Sequence, residues 1–496
     1  MKKMSFFGLV SLLVLSLAGI AQAAEVKATG KWQIDAYMND SMNFETMNKD
    51  QAFRIEQRMR TAFQFIANEN LKAVLDTQIG SNTWGNGLYQ ISAGRTPNST
   101  QGGANGAGNG NLMLRQGYID FKYPNTAVNF KVGFQTLSLP AAFGGGSAIL
   151  DDQVGAAVVS APIVDGVKLL AGYARPYDAN NFGSTSGANL WSGTSADMGF
   201  LAVPVDYFKG FSIVPFGAFM YSGANAAAQA TGATSQIGFG SAGANNSVGV
   251  RAYWAGAAFT MTAFEPFKVM ADFNYGLATY SNYTLADTSN GGRQGWLADI
   301  AIDYTGLSFM TPEVYYVYTS GVGGRNANKD GRMPIAGNPQ SWSINNSFYF
   351  GDRNMITGFN TASTGASNGA GTRNTMGFWA TGFALKDMKF FDNFTHTFNV
   401  MYVKGTNNAD AVLASRRATG ITTGYGVFLT DKDSLFEIDL QNKYKIYDAL
   451  SLQLDLGYIN ASIDKDTWRA INANYGNNDL LSSNAYRAAL GLTYSF

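Results

Sequence analysis

The 496-residue chain has no cysteine and a single histidine. The first absence excludes disulfide cross-links, zinc–thiolate sites and a cysteine nucleophile. The second leaves His396 as the only imidazole. Charge is sparse as well: Asp, Glu, Lys and Arg make up 14% of the chain, against about 25% in ordinary soluble domains. The 35 basic side chains are balanced by 35 acidic ones, so the electrostatic footprint of a nucleic-acid partner is missing. Beyond the first 23 residues there is no apolar run of 18, which excludes spanning helices.

What is present is alternation. The chain ends in RAALGLTYSF, where Tyr486, Ala488, Leu490, Leu492, Tyr494 and Phe496 share one face and polar or small residues share the other. That is the period-2 pattern of a strand. In SLFEIDLQNKYKIY, Phe436, Ile438, Leu440, Tyr444 and Ile446 oppose Glu437, Asp439, Gln441, Lys443 and Lys445. In FRIEQRMRTAFQF, apolar Phe53, Ile55, Met59, Phe63 and Phe65 oppose Arg54, Glu56, Arg58 and Arg60. One apolar face and one charged face, repeated on strand after strand, fit a lipid-facing exterior around a wet lumen. Lipid leaves no water for a free strand edge, so such a sheet closes into a barrel.

Connections alternate too. Short ones such as 67–70, 124–127, 209–210, 265–266 and 447–449 are separated by long Gly/Asn/Ser-rich segments, among them 81–111, 222–246 and 321–372. Tight turns at one end and long loops at the other define the outer-membrane arrangement. The expected fold is an all-β, transmembrane antiparallel barrel of 16–18 strands, with 18 preferred; the stretches 155–162 and 167–173 are the weakest strands. A barrel of this size encloses an aqueous channel.

The first residues carry Lys2 and Lys3, an apolar run from Phe6 to Ile20 and an Ala21-Gln22-Ala23 motif. This is the pattern of a signal peptide cleaved after Ala23, leaving a single barrel domain over 24–496 in the outer membrane of a Gram-negative cell. Losing Lys2 and Lys3 leaves 33 basic against 35 acidic side chains, a formal charge of −2, which does not fix the preferred ion sign.

Lumen-facing parity assigns Arg54, Arg58 and Arg60, with Lys72 on the next strand, to a basic wall. Glu56, Asp76, Lys131, Glu437, Asp439 and Lys443 share inward faces. The inward aromatics are Tyr37, Tyr118 and Tyr315, too few for a sugar-guiding track. His396 shares its parity with Phe394, Phe398, Val400 and Tyr402 and so points outward. No serine joins it on that face and no Gly-x-Ser-x-Gly elbow occurs, so no enzyme is expected. No cofactor or metal is expected; calcium in a loop is left open without a supporting motif.

Two stretches, LPAAFGGGSAILDDQVGAAVVSAPIVDG and FLTDKDSLFEIDLQNKYKIYDALSLQLDLGYIN, resemble the homotrimeric outer-membrane porins of Desulfovibrio-type sulfate-reducing bacteria. The resemblance implies a trimer of water-filled channels for passive diffusion of small hydrophilic solutes and ions. It also implies a third loop, around 140–160, folded into the barrel, with acidic Asp151 and Asp152 facing the basic wall. The terminal Tyr494 and Phe496 resemble the insertion signal read by the barrel assembly machinery. Lipopolysaccharide and outer-membrane lipid are the expected surroundings. The alternatives are a channel selective for a sugar or small anion, and a non-conducting barrel acting through its surface loops, with 321–372 as the working part.

Overall fold

The computed structural model describes residues 25–40, 44, 52–85, 112–178, 195–223, 250–280, 292–323, 331–336, 342–345, 347–350, 377–411, 413, 429–471 and 484–496. The expected signal peptide, with its cleavage residue Ala23, lies outside them. The strands are β1 Glu25–Asp40, β2 Ala52–Asn68, β3 Leu71–Thr83, β4 Met113–Lys122, β5 Asn129–Ser138, β6 Asp151–Val164, β7 Val167–Asp178, β8 Ser195–Ala202 and β9 Phe211–Ser222. They continue as β10 Val250–Met261, β11 Phe267–Tyr280, β12 Gly292–Tyr304, β13 Thr311–Thr319, β14 Phe378–Phe391, β15 Phe394–Gly405, β16 Ser434–Tyr447, β17 Leu450–Ser462 and β18 Asn484–Ser495. A short helix, α1, spans Lys465–Ile471. Each strand pairs antiparallel with its sequence neighbours, and β1 pairs with β18, closing an 18-stranded barrel. The two weakest sequence stretches both form strands, β6 and β7, which decides between 16 and 18.

Closure uses the last residue. Gly30 donates its amide to the Phe496 carbonyl at 2.8 Å, and Phe496 donates back to the Gly30 carbonyl at 3.1 Å. The Phe496 ring covers Gly30 so closely that a Cβ there would lie 2.3 Å from its Cζ. Tyr494 stacks on Phe496 with centroids 5.7 Å apart. The terminal aromatic thus fills the gap left by a glycine across the seam, a form of aromatic rescue.

The outer face is apolar with aromatic residues near both rims, including Tyr207 and Phe208 by the short turns and the stacked Trp296–Tyr318 pair towards the long loops. Such girdles mark the two membrane interfaces. Turns at the first rim are tight: Asp165–Gly166 joins β6 to β7, with Gly166 at φ +74°, where a Cβ would lie 2.7 Å from the Tyr207 Cα, so only glycine fits.

The packed core lies inside the barrel. The loop 139–150, third of the long connections and here called L3, folds into the lumen and buries Leu139, Phe143, Ile149 and Leu150. They pack with inward Met198, Phe216, Met220 and Trp254 of β8, β9 and β10. These strands are apolar on both faces because one meets lipid and the other meets L3. Parts of the seventh long loop, L7 (320–377), also turn inward: Met333, Trp342, Ile344, Phe348 and Phe350 are buried. L7 locks onto L3 through Ala336 N–Ile149 O at 2.8 Å and Ser343 N–Gly144 O at 3.0 Å.

Candidate functional site

A basic ladder lines part of the lumen. On one side stand β1 and β2, whose register places Lys31 beside Arg60, Gln33 beside Arg58, Asp35 beside Glu56 and Tyr37 beside Arg54. All of these share the inward parity. Arg54 and Lys31 are exposed, and Arg58 and Arg60 are half-buried. Arg58 donates to Gln33 Oε1 at 2.9 Å and Arg60 to Gln78 Oε1 at 2.7 Å. Neutral amide acceptors orient these guanidinium groups while leaving their charge in place. Glu56, buried inside the ladder, accepts from the Tyr37 hydroxyl at 2.9 Å and, among the described residues, forms no ion pair with an arginine, although Arg54 and Arg58 lie close enough to act on it through space. Lys72, on β3, pairs with Asp120 at 3.6 Å, and Lys131, on β5, lies 4.1 Å from the Tyr118 ring centroid.

Arg115 joins this wall and was not identifiable from alternation. A register shift between β3 and β4 at Asp76/Thr77 breaks the parity. It brings Arg115 Nη1 to 2.6 Å from Asp76 Oδ2. Bulges re-aim side chains in this way, and a long loop immediately before β4 hides them from pattern reading.

Buried acids line β11 to β13, beginning nine strands round the ring of eighteen from β2, and also β16, three strands from β1; together they form what is here the acidic wall. Asp272, Asp299, Asp303, Glu313, Glu437 and Asp439 are each 5% exposed or less. Their charges are engaged. Asp272 accepts from the backbone amides of Ala142 and Phe143 at 2.8 Å each, which docks L3. Glu437 Oε1 accepts from the Phe348 amide at 2.6 Å, which docks L7. Lys386 reaches both Asp303 and Glu313 at 2.6 Å. Asn399 donates to Asp439 at 3.1 Å. Phe348 is further fixed beneath Arg487, whose guanidinium lies 5.4 Å from that ring and 5.2 Å from the Tyr37 ring.

Two sequence expectations are corrected here. Asp151 and Asp152 are not loop residues: they open β6, opposite Ser138 and Leu137. L3 ends at Leu150, because its last apolar residues turn inward before the strand starts. Only Asp152 has lumenal parity. The segment 321–372 is not simply an external loop either, since its described parts 331–336, 342–345 and 347–350 include much of the inward core. Lys443 is exposed with lumenal parity. His396 lies on the outer face, hydrogen-bonded through Nδ1 to Asn442 Oδ1 at 2.7 Å and 4.5 Å from the Phe394 ring centroid. The inward aromatics exceed the three expected tyrosines: Phe200 packs over Gly172, and Phe216 and Trp254 are buried under L3.

No protein-family profile and no curated protein matches the chain. Among solved structures it is similar to Pseudomonas aeruginosa OpdQ, at 11% identity and TM-score 0.50, with 95% of this chain and 98% of that one covered. P. aeruginosa OccK11 (OpdR) aligns at 10% identity and TM-score 0.50, covering 95% and 96%. Acinetobacter baumannii OccAB1 aligns at 12% identity and TM-score 0.50, covering 96% and 99%. The shared feature is the fold, a closed 18-stranded barrel over nearly the whole chain.

Proposed function

We propose that the protein is an outer-membrane porin of a Gram-negative cell, a passive channel for small hydrophilic solutes that favours anions. One observation carries the ion preference. The acidic wall is buried under L3 and L7 and its carboxylates accept from loop amides, Asn399 and Lys386, while Lys31, Arg54, Arg58 and Arg60 face the lumen and, among the described residues, enter no ion pair, the acids beside them, Asp35 and Glu56, being buried. The field a solute meets is therefore positive although the formal charge of the chain is near zero, and rings of charge set ion selectivity. Carboxylates and phosphates suit guanidinium donors best.

A sugar-selective slide is disfavoured, because Tyr37 and Tyr315 are 4% and 3% exposed and Phe216 and Trp254 lie beneath L3. Reading the chain as a member of the Desulfovibrio-type porins adds three-fold assembly, insertion by the barrel assembly machinery through Tyr494 and Phe496, and lipopolysaccharide contact. No catalytic step enters this account. The test is uptake by liposomes carrying the purified protein: acetate, succinate and phosphate should enter faster than cations or neutral sugars of equal size. Equal exclusion of all solutes would return the chain to a structural barrel.

A further inference from the structure

The anchor of L3 is a pair of acids. Asp272 on β11 and Asp299 on β12 are direct cross-strand partners, and both are 5% exposed. Asp272 takes the two L3 amides, Ala142 and Phe143, and its own amide donates to Asp299 Oδ1 at 3.0 Å. Directly opposed residues on one face of an antiparallel pair have Cβ atoms about 4.5–5.5 Å apart, so the two buried carboxyl groups are immediate neighbours, and Asp299 Oδ2 has no other hydrogen-bond partner among the described residues. Two carboxyl groups bond only through a proton, and two buried like charges at this range do not both ionise.

Their surroundings do not neutralise the pair. Among the described residues neither acid has an ion-pair partner. β10 places Ala258 beside Asp272, and β13 places Val317 beside Asp299. Lys268 and Asp303 lie four residues away along β11 and β12, about 13 Å. At that level Lys386 is engaged with Asp303 and Glu313. Arg293 lies six residues the other way along β12, about 20 Å. Tyr315, against Phe143 with ring centroids 5.9 Å apart, donates to Asn399. From L7, Arg332 adjoins Met333, which packs at Gly276, four residues from Asp272. L3 itself carries no titratable side chain from Leu139 to Leu150.

We propose that Asp272 and Asp299 hold L3 through one shared proton, so that the aperture of the lumen depends on pH. With one proton, Asp299 donates to Asp272, and Asp272 presents its charge to the two loop amides. Such charge-assisted bonds are roughly twice as strong as neutral ones. A second proton, taken from lumenal water, leaves Asp272 a neutral acceptor and loosens L3. Loss of the shared proton to water sets two charges side by side and forces the carboxyl groups apart. Both residues are positioning residues for the constriction and touch no solute. This inference rests on the channel reading.

The test is single-channel recording of the full-length protein in planar bilayers from pH 4 to pH 9 at constant salt. Wild type should show at least threefold more current noise and brief closures at both pH extremes than between them. In Asp299→Asn the amide donates permanently to Asp272, so the alkaline rise should vanish and the acid rise persist. Asp272→Asn should be noisy at every pH. A wild-type record flat in pH overturns the proposal, as does an Asp299→Asn profile identical to wild type. These two outcomes decide it even where Asp272→Asn does not fold. Absence of any conductance sinks the channel reading itself, whereas conductance without pH dependence sinks only the shared-proton anchor.

Discussion

Arg58 points its guanidinium at Gln33 rather than at an acid, 2.9 Å from the amide oxygen. The amide aims the charge without an ion pair, and the nearby Asp35 and Glu56 act on it only through space. Arg58→Gln should therefore keep the barrel intact and reduce anion preference. The zero-current potential in a tenfold salt gradient should move towards zero, with Arg58→Lys retaining most of the wild-type value.

The Arg115–Asp76 pair makes the opposite prediction. At 2.6 Å, with both side chains largely screened from the lumen, Asp76 neutralises one cation of the wall. Asp76→Asn removes that neutralisation. Anion preference should rise above wild type in the same measurement, and Arg115→Gln should return the wall nearly to its original balance.

Phe496 and Gly30 report on the seam. Phe496→Ala removes the ring that covers Gly30 and should cost about 1 kcal/mol, the upper end for a cross-strand pair. Gly30→Val places a side chain where the ring sits and should be worse. Unfolding midpoints of the refolded barrels in urea would rank wild type, Phe496→Ala and Gly30→Val in that order.

At the long-loop rim, Asp433 is fully buried and accepts from the Thr430 amide at 2.8 Å, the Trp468 indole at 3.1 Å and the Asp464 amide at 2.7 Å. It ties the eighth long loop to α1. Burial pushes its carboxyl above the usual range, despite these donors. A carboxyl raised in the folded state stabilises fully below its unfolded value, about 3.9, and the contribution is lost as pH rises through the folded value. Amide protection factors at Thr430 and Asp464 should thus be higher at pH 4 than at pH 8. Asp433→Ala leaves those donors unsatisfied and should weaken the latch by about 2 kcal/mol, erasing the pH dependence.

The barrel was legible because lipid and water impose a strict period of two: Arg54, Arg58, Arg60, Glu437 and Lys443 fall on the inward face as alternation requires. The inward packing of L7 was not legible, since its buried residues Trp342, Ile344 and Phe348 obey no strand period. β8 and β10 did carry a signal, apolar residues on both faces, which only a filled lumen explains. The acidic half of the site was misplaced for a related reason. Asp151 and Asp152 adjoin L3 in sequence, but the carboxylate that holds L3 is Asp272, some 130 residues away. Arg115 was hidden by a single bulge.

The central claim is a lumen whose free charge is positive although the chain is nearly neutral. Its most direct test is the zero-current potential of single channels of the purified, unboiled protein in a potassium chloride gradient. The account predicts a potential of the sign set by chloride permeating faster than potassium, reduced in Arg58→Gln. A potential set by potassium would show that the acidic wall, and not the arginine ladder, governs the pore.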